Sequence, residues 1–95
     1  PEAPELHKSF LIQLACADGL TDDELLALLH HYEAEVQTGL DLARGLAERA
    51  EKADGQSRHR WMNQKIRDNF VLAWKTELEW AQSIREGLQK KQYQD

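Results

Sequence analysis

Apolar residues recur along this chain at helical intervals in three runs, each bounded by a recognisable stop. Leu6, Phe10, Leu11, Leu14 and Ala15 fall at the i, i+4, i+5, i+8, i+9 positions of one helical face, predicting a short helix over residues 5–18 that Pro4 could open. Gly19 stands where a helix C-terminus accepts a left-handed residue. The following Thr21-Asp22-Asp23-Glu24 has the form of a capping box before an apolar run. A second helix is predicted over residues 22–53. Its residues Leu25, Leu29, Tyr32, Val36, Gly39, Ala43, Leu46, Ala50 and Ala53 step by threes and fours as a coiled-coil seam does. The small residues in its far half would let a neighbour approach closely. Gly39 and Gly45 each cost about 1 kcal/mol relative to alanine in a helix interior, so a break near Gly39, recapped by Asp41, is the alternative. Lys52 to Ser57 supply a turn, with Gly55 ending one helix and Ser57 able to cap the next.

The third predicted helix covers residues 58–90 and carries two apolar stripes. Ile66, Phe70, Ala73, Trp80, Ile84 and Leu88 form one; Val71, Trp74, Leu78 and Ala81 form the other, roughly 100° round the axis. Trp74 and Trp80 point about 120° apart. A surface that wide exceeds what one neighbouring helix buries, so the two rings imply two packing partners. Helices of about 30 residues are about 45 Å long, more than a compact domain of this size spans. The fold expected is therefore all-α: a short helix followed by a long antiparallel helical hairpin, in one domain over residues 1–95, associating as a coiled-coil-like dimer. The last helix should be held on one flank by its own chain and on the other by a second copy. The polar tail from Gln89 to Asp95 should fray.

The 95 residues include 31% charged and 41% hydrophobic side chains, with five glycines and two prolines, a balance that favours helices. The formal charge of −5 is uneven: residues 1–56 hold 12 acidic against 4 basic side chains, and residues 57–95 hold 5 against 8. The two parts are expected to complement each other in sign when folded together, and the basic side chains are too diluted by glutamates to bind DNA well. No segment has the apolar length of a membrane span. The lone Cys16 excludes an internal disulfide, fits a reducing, cytoplasmic compartment, and reads as small core filler.

Candidate chemistry is sparse. His30 and His31 stand near Glu33 and Glu35, but one helical turn offers too few ligands for a metal, and His31 with Glu35 reads as an i, i+4 pair. Asp22, Asp23 and Glu24 are ordinary partners of a helix N-terminus. Glu77, between Ala73 and Trp80, should meet a lysine or arginine of a neighbour or reach the rim, the alternative being a buried acid with a shifted pKa. Trp61 should clamp the turn or stay partly exposed. No catalytic pattern or cofactor motif is present, so neither catalysis nor a cofactor is expected.

In the order Phe10-Leu-Ile-Gln-Leu-Ala-Cys-Ala-Asp-Gly-Leu20, then the long helix from Thr21 to Val36, then Leu72 to Leu88, the chain resembles the C-terminal helical domain of PadR-family transcriptional regulators, also described as the virulence-activator alpha C-terminal domain. The likeness covers about Phe10 to Leu88. It places Phe10, Leu11 and Leu14 in the family's first apolar motif, Leu25, Leu28, Leu29 and Tyr32 on its long helix, and Trp80 at the tryptophan of its last helix. Ala73 stands where many members have glycine. The resemblance implies a homodimerisation domain, with operator DNA bound only through a winged helix outside these residues. It also implies a small aromatic effector as a candidate ligand, since in some members such a ring faces the dimer contact or an aromatic molecule. The residues expected at the dimer contact or a ligand pocket there are Phe10, Leu14, Tyr32, Val36, Phe70, Trp74, Leu78, Trp80 and Ile84. A free-standing helical adaptor for an amphipathic partner helix is the alternative function.

Overall fold

The computed structural model describes residues 3–53 and 57–94, with side chains described over 7–50 and 57–94. It is all-α: α1 (Ala3–Ala15), a 3-10 turn (Ala17–Gly19), α2 (Asp22–Ala53) and α3 (Arg58–Gln89), with no strand among the described residues. α2 and α3 form an antiparallel hairpin, α1 folds back over one end of it, the base, and the three helices together measure 55 × 22 × 16 Å. None of these helices is long and apolar enough to cross a membrane.

Local chemistry accounts for the helix starts. The Glu24 N–H donates to Thr21 Oγ1 at 3.1 Å and the Thr21 N–H to Glu24 Oε1 at 3.2 Å, so both halves of the capping box close. Ser57 Oγ accepts from the Arg60 N–H at 3.0 Å and opens α3. Gly55 lies outside the described residues. The expectation of a left-handed Gly19 is not met. No described glycine has positive φ; the chain leaves α1 by tightening into the 3-10 turn, then extends at Leu20. The left-handed residue is instead Lys91 (φ 52°), after α3. There the Gln92 N–H donates to Gly87 O at 2.9 Å and the Lys91 N–H to Leu88 O at 3.1 Å, the paired bonds of a Schellman ending. Tyr93 OH donates to Asp22 Oδ2 at 2.6 Å, so the tail is tied back to the start of α2 rather than frayed.

α2 is continuous through Gly39 and Gly45. Its buried stripe runs Leu29, Tyr32, Val36 and Leu40. The steps of four from Tyr32 to Leu40 carry the stripe round the helix, which leaves Leu46 on its edge, 59% exposed, instead of in the seam. On α3, Ala81 is buried and Val71, Trp74 and Leu78 are half-buried against α2. Arg85 Nε donates to Glu33 Oε2 at 2.8 Å and Oε1 at 3.1 Å, an ion pair joining the two long helices.

The two tryptophans do have two partners, but both belong to the same chain. Trp74 rests on α2, and Trp80 meets Phe10 of α1 edge-on, 6.1 Å between centroids at 86°. The second copy expected beside one ring is replaced there by α1. The longest uncovered apolar stretch on the hairpin's own helices lies nearer the far end, the tip.

Candidate functional site

A trough runs along one side of the α2–α3 hairpin, and its two halves differ. Toward the base it holds α1, which leaves a hollow of about 360 Å³ open between Leu25, Ile84, Leu88 and Tyr93. Phe10 is buried and stacks on Tyr32, 3.7 Å between centroids and 4° from parallel. Tyr32 OH donates to Glu77 Oε1 at 2.5 Å, and His7 Nδ1 donates to the same oxygen at 2.6 Å. One carboxylate on α3 thus gathers a donor from α1 and a donor from α2. The partner expected for Glu77 was a lysine or arginine; a histidine and a phenol fill that role. Burial first, then the Glu77 hydrogen bond, then the charges of Glu77 and Glu35 push the Tyr32 phenol well above its ordinary range and keep it protonated. His7 also lies 5.4 Å from the Trp80 ring. This cluster clamps three helices together and faces no substrate-sized cavity; the hollow beside it, between Ser9, Gln13, His31 and Glu35, holds about 130 Å³.

Toward the tip the trough is open. Leu42 and Leu46 wall it on α2, Phe70 and Trp74 on α3, with Gly39, Ala43 and Ala47 as the floor and Arg67 at the margin, around a volume of about 430 Å³. Gly39 is the device that shapes it. A Cβ at that position would meet the Trp74 ring at 2.5–2.6 Å, so only glycine lets the indole lie against the α2 backbone. Leu42, Leu46, Ile66 and Phe70 are 51–61% exposed, and Met62 continues the same face nearly as exposed. Four such residues along one side of a hairpin form an apolar surface that favours a covering partner.

The expected site residues divide between these halves. Phe10, Tyr32 and Val36 are buried in the chain's own core; Leu14, Leu78, Trp80 and Ile84 are half-buried around it. Only Phe70 and Trp74 face the open groove. Leu42, Ala47 and Arg67 were not singled out by the sequence, although Leu42 and Leu46 form an i, i+4 pair that could have marked this flank. His7 carried no local signal, because its partner lies 70 residues away.

The rest of the candidate chemistry is peripheral. His31 Nε2 and Glu35 Oε1 are 2.6 Å apart, the i, i+4 contact expected. Cys16 is exposed instead of filling the core, because it follows the end of α1 and turns away from the His7–Phe10–Leu14 face. Trp61 is exposed beneath Lys65 Nζ, 5.7 Å from the ring centroid. Among the described residues no three histidine, cysteine or acidic side chains gather as a metal site. No family model matches the chain, and neither a curated protein nor a solved structure is significantly similar to it.

Proposed function

We propose that the chain is the dimerisation module of a PadR-like transcriptional regulator acting in the cytoplasm, and that it sets the separation of two winged helices carried elsewhere in the full protein. The open tip half of the trough supports this reading: an apolar surface on a rigid hairpin favours association, and homo-oligomers are most often two-fold. A dimer matches such a protein to an operator because half-site spacing follows protein symmetry. The Phe70 and Trp74 rings also suit a small aromatic effector lodged at the contact. Such a guest changes the spacing only if it prefers one dimer geometry to another. Sedimentation velocity on these 95 residues tests the proposal. A dimer at micromolar concentration is expected, and a monomer persisting at a few hundred micromolar refutes it.

A second reading is favoured by one observation: the trough already accepts one amphipathic helix, α1, at its base. A free-standing adaptor would take a helix from another protein in the tip half. It predicts a monomer whose groove is filled only by a foreign helix.

A further inference from the structure

α1 has 13 residues and α2 and α3 have 32 each, so α1 covers about 20 Å of a trough about 48 Å long. His7 sits beside Glu77 and Phe10 between Tyr32 and Trp80, so α1 starts near the middle of the hairpin and runs toward the base. On α3, Ile66 and Phe70 lie on the same side as Glu77 and Trp80, which touch His7 and Phe10 of α1. The open groove is therefore the continuation of α1's seat, and it is about 28 Å long.

The geometry points to the same half of a second copy as its occupant, packed antiparallel about a two-fold axis. The two tip halves make a central four-helix bundle, bounded at either end by an α1. This rests on the dimer proposed above and adds its geometry and its boundary. Three features select that arrangement. The surface is apolar, with leucine and phenylalanine ridges on either side of a floor of Gly39, Ala43 and Ala47 into which a like ridge could fit. A parallel pairing through the same faces would set one α1 against the other, each about 10 Å across, and so lift the tips apart. Leu42, Leu46, Met62, Ile66 and Phe70, at roughly 100 Å² of exposed surface each, would bury roughly 1,000 Å² over two chains, the threshold for a stable contact. The two α1 starts then lie roughly 30 Å apart at the middle of the assembly, of the order of one turn of DNA, and the bases point away from each other.

The native Cys16, exposed at the base, provides the test. With a nitroxide on Cys16, pulsed dipolar resonance should give roughly 65 Å between labels, from an overlap of about 28 Å flanked by two α1 lengths. Phe70→Glu should weaken the dimer about 100-fold without loss of helical signal, since Phe70 is 58% exposed. Leu72→Glu, equally exposed but on the far side of α3, should leave it unchanged. A dimer with labels under 40 Å apart, or one indifferent to Phe70→Glu, overturns this geometry and leaves the dimerisation reading standing. A monomer overturns both.

Discussion

Gly39 and Gly45 occupy the same helix six residues apart, yet alanine at the two positions should have opposite effects. An alanine Cβ at Gly39 would sit 2.5 Å from Trp74 Cη2 and 2.6 Å from Cζ2 and Cζ3. Ordinary carbon contacts are about 3.5–4 Å, so the ring has to retreat by about 1 Å from the backbone it covers. Overpacking of this kind costs about 1–3 kcal/mol, set against a helix-propensity gain of about 1 kcal/mol. The net expectation for Gly39→Ala is a loss of up to about 2 kcal/mol. At Gly45 the new Cβ would meet only Arg49 Nη2, at 3.8 Å, so Gly45→Ala keeps the propensity gain of about 1 kcal/mol. A separation of about 2 kcal/mol corresponds to roughly 8–16 °C between the two melting midpoints for a domain of this size. Thermal unfolding followed by circular dichroism measures it, with all proteins at one concentration because a dimer's midpoint depends on concentration. If Gly39→Ala raised the midpoint as much as Gly45→Ala, the indole could not be resting on the α2 backbone.

Phe10→Ala should destabilise the chain by about 3–5 kcal/mol and, in hydrogen exchange, expose α1 before the hairpin, because Phe10 is fully buried between Tyr32 and Trp80. Retention of α1 protection would contradict its role as the main anchor. Tyr32→Phe should cost about 1–2 kcal/mol in urea unfolding by removing a donor from Glu77. It also changes the alkaline limb. The folded-state pKa of Tyr32 is raised above its ordinary 10.0, so its contribution is intact below pH 10 and lost as pH climbs beyond it. The parent chain should therefore weaken more steeply above pH 10 than Tyr32→Phe, and parallel pH profiles would show the phenol to be uncoupled from folding. Lys91→Gly should stabilise by about 0.5–1 kcal/mol in the same assay, since Lys91 holds the left-handed position of the α3 ending (φ 52°) where glycine carries no steric penalty. A loss of stability there would mean that the lysine side chain contributes more than the backbone strain costs.

The features that were legible in the sequence are those decided within a few residues. Thr21 and Glu24 are three apart, Ser57 and Arg60 likewise, and such caps depend on little beyond local backbone geometry. The all-α class and the long hairpin follow from periodicity in the same way. Features decided by distant parts of the chain were not legible. That α3, with Trp74 and Trp80 aimed apart, needs two directions of support could be read from the stripes, but not that α1 would supply the second one, because a helical stripe specifies a direction and not the identity of its neighbour. His7 and Glu77 illustrate the same limit across 70 residues. Cys16 was misplaced because composition gives cysteine a buried tendency, whereas its position after the last turn of α1 turns it outward. Lys91 was missed because left-handed lysine has no sequence signature.

The seat of α1 also has a kinetic side. Phe10 is held by one ring from α2 and one from α3, so that seat does not exist until the hairpin has closed. A ribosome delivers α1 first, yet α1 would be the last helix to dock. On this hypothesis truncating Phe10 accelerates unfolding and leaves the refolding rate nearly untouched, the pattern of a residue that joins after the rate-limiting barrier. Stopped-flow traces in which Phe10→Ala slows refolding in proportion to its lost stability would place α1 in the nucleus instead.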